Sequence, residues 1–178
     1  MIDLARRWEV SLISLHPGFT AYPTRPRQDP GTPNIPYTVA LRTAQESSHL
    51  FLGYAQGDAE IIAENLPFEP ATMMRSPEEI ARFVEGLGIG LLLDVGHFHV
   101  SAYQMGFDFA GGVKAVAKYV RELHLHDNNG RADQHLPLGQ GSIDFSLLQG
   151  VTDGYPILEA YGDLDELRRS AERWRLVL

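Results

Sequence analysis

The sequence contains no cysteine, which excludes disulfide bonds, thiolate zinc sites and cysteine nucleophiles. Any metal that the protein binds must therefore be held by histidine, aspartate and glutamate. Lysine is almost as scarce, because Lys114 and Lys118 are the only two in 178 residues, and there is no run of basic residues. The net charge of −8, from 15 basic and 23 acidic residues, argues against a protein that binds the phosphate backbone of nucleic acids.

Long hydrophobic runs are also missing, and none approaches the length of a membrane span. The first ten residues, MIDLARRWEV, lack the apolar core of a signal peptide, so we expect a cytoplasmic protein without a membrane partner. Hydrophobic residues make up 44% and charged residues 21%, as in ordinary globular proteins. Because no linker or repeat divides the chain, we predict a single domain over residues 1–178.

Short apolar runs alternate with helical patterns along the chain. The predicted strands are residues 10–15, 60–65, 89–93, 121–126 and 154–159, and their nearly continuous apolar character is typical of parallel strands covered by helices. Helices are predicted at 1–8, 37–57, 76–87, 108–120, 144–149 and 163–178, with a short helix or loop at 98–106. The alternation predicts an α/β fold with a parallel sheet.

Two stretches between these elements carry signals of their own. Ser76, Pro77 and Glu79 indicate a helix start, with Ser76 as N-cap, Pro77 at the first helical position and Glu79 completing a capping box. The proline-rich segment 19–36 is longer than a connector requires, which predicts a functional loop.

Residues able to bind a metal follow or end every predicted strand. In chain order they are His16, Glu64, Asp94 with His97, His124 with His126, and Glu159. Because the carboxyl ends of parallel strands lie on one face of a barrel, we expect these side chains to converge there. Taken singly, each is as well explained by a solvated strand end or an ion pair, but together they favour a metal site.

The densest part of this pattern is LHLHDNNGRADQHLPLGQG, residues 123–141, in which three imidazoles and the carboxylates of Asp127 and Asp133 fall within 12 residues. Packing of a hydrophobic core does not require such a cluster, whereas imidazole and carboxylate groups are suitable ligands for Zn, Mn, Fe or Co. The alternative is a histidine-rich surface loop.

Several motifs resemble those of the xylose isomerase-like TIM-barrel superfamily, which contains sugar isomerases and epimerases and also the endonuclease IV enzymes of abasic-site repair. The motifs are LHPG around His16, AENLP around Glu64, LLLDVGH ending at His97, HLHD from His124, DQH ending at His135 with LGQG after it, and ILEA around Glu159. The resemblance extends nearly from end to end. It implies a parallel (β/α) TIM-barrel-like fold that is incomplete, since a full barrel takes about 250 residues.

The missing part of the barrel would be its first two βα units and one further strand. Open sheet edges are generally covered in proteins, so we expect that a second copy or a partner covers them here, or that the chain is a fragment of a longer protein.

The resemblance also implies a set of site residues. A divalent metal (Zn, Mn, Mg or Co) would be held by Glu64, Asp94, His124 and Glu159. In the epimerase branch the two glutamates also serve as acid and base, and His97 contacts the substrate. In the nuclease branch His97, Asp133 and His135 hold another zinc, and His16 contributes to a third site. We further assign His126 and Arg131 to substrate binding, although a solvated loop arginine explains Arg131 equally well.

The sequence departs from the nuclease pattern at several positions. Asp94-Val95-Gly96-His97 stands where the nucleases have Asp-Thr-Cys-His or close to it, His126 precedes Asp127 in place of an asparagine, and no histidine from an earlier strand is present. We therefore predict a sugar or sugar-phosphate isomerase or epimerase that acts on a small-molecule sugar by proton transfer through a metal-stabilised enediolate. The retained Asp133-x-His135 pair keeps an endonuclease IV-like zinc phosphodiesterase as the alternative, and a catalytically degenerate relative as a third.

Overall fold

Five parallel strands form one sheet in the order of the sequence. The computed structural model describes residues 2–21, 34–55, 59–151 and 156–177. The strands are β1 (Leu12–Leu15), β2 (Glu60–Glu64), β3 (Gly90–Asp94), β4 (Val120–Leu125) and β5 (Ile157–Leu158). Each pairs in parallel with its neighbour in the chain. The predicted parallel sheet of five strands is confirmed; residues 22–33 of the proline-rich loop and 154–155 of the last predicted strand lie outside the described residues.

In the described ranges six α-helices connect and flank the strands: α1 (Ile2–Arg7), α2 (Tyr37–Ala55), α3 (Pro77–Leu87), α4 (Val95–Met105), α5 (Phe109–Val116) and α6 (Leu164–Arg175). Two 3₁₀ turns, Ala117–Tyr119 and Phe145–Leu148, occupy parts of segments predicted as helix. Among the described helices, none combines the length and apolar character that crossing a bilayer requires.

The start of α3 is only partly as predicted. Ser76 is the N-cap, since its hydroxyl accepts the N–H of Glu79 at 3.3 Å, and Pro77 takes the first helical position. The predicted capping box is wrong, because the Glu79 carboxylate accepts the N–H of Arg75 at 2.9 Å and pairs with its guanidinium at 2.8 Å. A reciprocal box forms instead at α6, between Asp163 and Glu166.

The start of α4 also differs, in a way that shapes the site. The helix begins at Val95, immediately after β3, rather than at Phe98. Asp94 makes this abrupt transition by accepting the N–H of His97 at 2.7 Å as N-cap. The last residue of β3 is therefore both a helix cap and a candidate ligand.

Along the central strands, side chains alternate between the hydrophobic core and the concave face of the sheet. Leu91 and Leu93 of β3 and Leu123 and Leu125 of β4 pack in the core cluster. That cluster also contains side chains of the covering helices, among them Phe83, Val84, Phe98, Val113 and Val116. Leu92, Glu122 and His124 instead line the concave side. Because side chains alternate between the two faces of a strand, Glu122 and His124 lie on the same face of the sheet.

Candidate metal centre

The first group of candidate ligands lies at the carboxyl ends of four strands; we call Glu64, Asp94, His124 and Glu159 the strand-end group. Asp94 and His124 are direct partners in the β3–β4 register. The Nδ1 atom of His124 lies 3.2 Å from Oε1 of Glu159 and 3.9 Å from Oε1 of Glu64. Asp94, His124 and Glu159 each offer a ligand atom within 4.8 Å of the others, and so do Glu64, Asp94 and His97.

Two buried atoms of the strand-end group have no hydrogen-bond partner within the part of the chain that the structure describes. They are Nδ1 of His124, which is near Glu159 without hydrogen-bond geometry, and Oδ2 of Asp94, whose side chain is 0% exposed. A buried carboxylate or imidazole without a partner is costly, and a cation that accepts both lone pairs removes this cost. The residues therefore fit a divalent ion held by oxygen and nitrogen.

The second group is formed by His97, His126, Asp133 and His135, and we call it the loop group because three of its members follow β4. Each of the four residues offers one ligand atom within 4.8 Å of the others. The carboxylate of Asp133 lies 3.4 Å from Nε2 of His97, 3.3 Å from Nε2 of His135 and 3.6 Å from Nε2 of His126.

Backbone carbonyls fix the orientation of two imidazoles in the loop group. Nδ1 of His97 lies 3.0 Å from the carbonyl oxygen of Asn65, and Nδ1 of His135 lies 2.7 Å from that of Glu159. A carbonyl only accepts, so each Nδ1 carries the proton and donates it. In the neutral rings Nε2 then holds the lone pair and faces Asp133, as in histidines prepared for a metal.

Asp127, which is fully buried, holds the loop that carries Asp133 and His135. One carboxylate oxygen accepts the N–H groups of Gly139 at 2.8 Å and Gly141 at 3.0 Å, and the other accepts that of Ile143 at 3.2 Å. A Cβ at Gly141 would lie 2.3 Å from this carboxylate, so the backbone approach requires glycine. His135 has φ +48°, which is uncommon for a residue with a side chain and is maintained by the loop around it.

The electrostatics reflect the crowding of carboxylates and imidazoles. Burial disfavours the charged form of Asp94, but His97 and His126 outweigh it and hold the pKa of this carboxyl below its usual range. Burial likewise opposes protonation of His97, yet Asp94 and Asp133 raise its pKa to about 9. The pKa of Asp133 is lowered, since the hydrogen bond and charge of His97 outweigh its burial. These carboxylates therefore favour a positive charge between them. A bound dication would also supply that charge.

Two predicted site residues lie outside these groups. His16 follows β1, and its Nε2 atom lies 3.2 Å from Oε2 of Glu64, whose hydrogen bond raises the pKa of the imidazole. Arg131 places its guanidinium 5.9 Å from the ring centre of Tyr103 on α4, and its carbonyl accepts a hydrogen bond from Gln104. These contacts with Arg131 place it beside α4, and its substrate-binding role stays a prediction.

Sequence reasoning missed two residues that support the ligands. The side chain of Asn65 makes two hydrogen bonds to the backbone of Asp94. Its Nδ2 donates to the Asp94 carbonyl at 3.0 Å, and its Oδ1 accepts the Asp94 N–H at 2.8 Å. Glu122 places Oε1 3.7 Å from Nε2 of His124. Its position two residues before His124 on one strand was the available signal, because such residues share a face.

A cavity of about 560 Å³ lies on the concave side and reaches His124 and Glu159. Its other lining residues include Ser14, Leu92 and Ile157, and its size is in the range of small-molecule sites. A larger cavity of about 720 Å³ lies between β1 and α2, with mostly apolar lining and His16 at its edge.

The chain belongs to the xylose isomerase-like TIM barrel family, which it matches over residues 1–176. Its five strands are part of the barrel, so the predicted incomplete TIM-barrel fold is confirmed.

Known relatives agree with this assignment and are longer than the chain. An uncharacterised protein of Methanocaldococcus jannaschii is 27% identical over 148 residues, which are 82% of this chain and 51% of that protein. A structure described as a D-tagatose 3-epimerase-like protein superposes with a TM-score of 0.73 at 20% identity, covering 99% of this chain and 65% of that one. The D-psicose 3-epimerase of Clostridium cellulolyticum with D-tagatose gives a TM-score of 0.70 at 15% identity, covering 99% and 68%. The chain therefore spans about half the length of the curated relative and about two thirds of these structures.

Proposed function

We propose that the protein is a divalent-metal-dependent isomerase or epimerase of a sugar or sugar phosphate. The observation that carries this proposal is the strand-end group, in which two glutamates from different strands flank His124 beside a cavity of small-molecule size. Structures described as epimerases share the fold, which accords with the proposal.

A bound divalent ion would be held by Glu64, Asp94, His124 and Glu159, and would supply Lewis-acid stabilisation of negative charge on substrate oxygens. The chain's own residues then have to move a proton at the carbon next to the carbonyl. We assign this task to Glu64 and Glu159, one as the base that removes the proton and the other as the acid that returns it.

The two glutamates differ in their surroundings. The Glu159 side chain is 36% exposed, whereas that of Glu64 is 7% exposed and lies against His16 and His97. The His16 side chain is 64% exposed, so it offers Glu64 a route for proton exchange with solvent. His97, in contact with Asp94, Asp133 and Asn65, would orient the substrate.

Solvent-deuterium incorporation next to the carbonyl, followed by NMR across a panel of ketoses with Mn²⁺, Co²⁺ or Zn²⁺ added, tests the proposal. We expect exchange with at least one sugar. In Glu159→Gln the rate should fall by about 10²–10⁴-fold, the usual contribution of general acid–base catalysis. Glu172→Gln, which changes an exposed glutamate on α6, is the matched control and should not alter the rate.

The second candidate is a zinc phosphodiesterase that acts on abasic DNA, and the loop group with its His97, Asp133 and His135 is the observation that favours it. Metal-dependent nicking of abasic DNA, without deuterium exchange in any sugar, would establish this function instead. Absence of both activities would favour the third reading, a relative that binds metal without catalysis.

A further inference from the structure

Glu122 is a mostly buried carboxylate on the concave face of β4. Its side chain is 17% exposed, its register partner on β3 is Leu92, and both residues line the cavity of about 560 Å³. A carboxylate in such surroundings is costly unless a cation or a hydrogen-bond donor accompanies it. Within the described ranges the only ion-pair partner of Glu122 is His124, whose Nε2 lies 3.7 Å from Oε1 of the glutamate.

We propose that Glu122 is a positioning residue of the metal centre, which accepts the Nε2–H of His124 and thereby leaves the Nδ1 lone pair of this imidazole for the ion in the strand-end group. This inference deepens the proposed function and rests on it for the presence of that ion. The resemblance implies Glu64, Asp94, His124 and Glu159 as ligands, so a role for position 122 is additional to it.

The two ring nitrogens of His124 have different surroundings. Nδ1 is buried and makes no hydrogen bond to any described residue, although Oε1 of Glu159 lies 3.2 Å away and Oε1 of Glu64 lies 3.9 Å away. Nε2 is the nitrogen near Glu122. A neutral imidazole carries one proton, and the nitrogen that holds an ion cannot carry it. An ion bound to Nδ1 therefore leaves the proton on Nε2, where the Glu122 carboxylate can accept it.

The strand itself brings the carboxylate to the imidazole. Residues two apart on a strand share a face, so Glu122 and His124 are neighbours along β4. The separation of 3.7 Å exceeds the upper end of an ordinary N–H···O distance by about 0.5 Å. Rotation about the side-chain bonds of Glu122 can close this gap without a shift of the backbone.

A carboxylate in this position changes the ligand rather than the number of ligands. When it accepts the second N–H of a metal-binding histidine, it fixes the tautomer and the orientation of the ring and makes the ring a stronger donor. It occupies no coordination position, so the positions that substrate oxygens need stay open. Loss of such a partner usually lowers metal affinity by about 10–100-fold.

The test is titration of the metal-stripped full chain with Mn²⁺, followed by electron paramagnetic resonance. Mn²⁺ is the probe because it prefers carboxylates, of which the strand-end group has three and the loop group one. In Glu122→Leu, which removes the acceptor, the affinity should fall by about 10–100-fold. In Glu122→Gln, which keeps an acceptor oxygen without the charge, the loss should be smaller. Glu9→Gln is the matched control, because Glu9 is an exposed carboxylate of the same cavity that is not paired with His124, and the affinity should not change.

Unfolding in urea separates positioning from packing. The metal-free Glu122→Leu protein should unfold at the midpoint of the parent or above it, because leucine replaces a mostly buried charge beside Leu92. A residue that only supported packing would instead lose stability and affinity together. If Glu122→Leu fails to fold, Glu122→Gln and the crystal structure of the metal-loaded parent decide the question.

In that crystal structure we expect the ion on Nδ1 of His124 and Oε1 of Glu122 at about 2.7–3.2 Å from Nε2. An ion on Nε2, a Glu122 carboxylate turned away from the ring, or parent-like Mn²⁺ affinity in Glu122→Leu would overturn the inference.

These outcomes can be told apart from failure of the proposed function. The expected geometry and affinities without deuterium exchange in any sugar would retain the role of Glu122 and lose the isomerase. Exchange with the ion on Nε2 would retain the isomerase and lose the role of Glu122. A parent protein that binds no Mn²⁺ in the strand-end group would overturn both.

Discussion

Asp94 connects the two ligand groups. It caps α4, its Oδ1 lies 3.0 Å from Nε2 of His126, and it offers a ligand atom within 4.8 Å of those of His124 and Glu159. Asp94→Asn should keep the cap, since asparagine caps helices as well as aspartate does, but should remove the charged ligand. We expect Mn²⁺ or Zn²⁺ binding in the strand-end group to weaken by more than about 100-fold in calorimetry.

The matched control is Asp108→Asn, because Asp108 is the exposed N-cap of α5 and contributes to neither group. The larger change, Asp94→Ala, should abolish tight binding and also cost about 1 kcal/mol of stability through loss of the cap. Parent-like affinity in either Asp94 variant would show that the ion is not held there.

His97 gives a prediction on pH. Its pKa in the metal-free protein is raised to about 9, whereas an unfolded histidine titrates near 6.5. At pH 7.5 the folded protein therefore carries a proton on His97, and an ion that uses this nitrogen must displace it. The affinity of the loop group should rise with pH up to about 9 and then level off.

The number of protons released per zinc can be measured by calorimetry in buffers of different ionisation enthalpy. At pH 7.5, His97→Gln should release one proton fewer than the parent. Equal release by the two proteins would contradict the assignment of His97 as a protonated ligand.

Among the elements, the loop after β4 depends on one carboxylate. In Asp127→Asn the amide nitrogen faces two N–H groups in either orientation, those of Gly139 and Gly141 or those of Asn128 and Ile143. Each buried group left unsatisfied costs about 1–3 kcal/mol, so the midpoint of urea unfolding should fall markedly. Zinc in the loop group should weaken as well, while the strand-end group should keep its ion.

Asp144→Asn is the comparison, because Asp144 caps a 3₁₀ turn at the exposed surface and accepts from Ser146 only. If Asp127→Asn unfolds like the parent, the loop is held by other contacts than those of Asp127.

The sequence predicted the elements better than the contacts between them. The alternation of leucine and histidine placed Leu123, Leu125 and His124 on the correct faces of β4, because side-chain period is a local property. The turn from β3 directly into α4 was missed, since VGHFHV lacks a strong apolar face and its N-cap, Asp94, is also the last residue of the apolar strand. The burial of the His126 side chain was missed for another reason. It depends on contacts with Asp94 at the end of β3 and with Gly96 in α4.

The same reason explains the carbonyl partners of the imidazoles. Nothing in the sequence near His97 or His135 indicates that Asn65 and Glu159 will accept their protons. Those partners come from β2 and the end of β5, so they are set by the sheet rather than by local pattern.

At the scale of the whole molecule, both outer strands have an edge without a partner strand among the described residues. β1 also borders the larger apolar cavity; Phe19 and Val39 of its lining are exposed, and so is Leu50 elsewhere on α2. Exposed edges and apolar surface favour association. We expect the 178-residue chain to form species larger than a monomer, with mass rising with concentration in light scattering after gel filtration.

Leu50→Glu should reduce this association, since Leu50 is 71% exposed and the added charge has to be desolvated in an interface. Glu46→Gln, a nearby exposed position on α2, is the control. A monodisperse monomer at high concentration would show that the edges are tolerated without cover.

β5 has a consequence for how quickly an ion can leave. It consists of two residues, Ile157 and Leu158, which pair with β4 and with no other described strand, and Glu159 of the strand-end group follows it directly. Short outer strands open locally at a small fraction of the cost of global unfolding. Fraying of β5 would withdraw Glu159 while Glu64, Asp94 and His124 remain on the inner strands. The residence time of the ion would then be set by the fraying of a two-residue strand, and amide hydrogen exchange at Glu159 would slow when the ion is present.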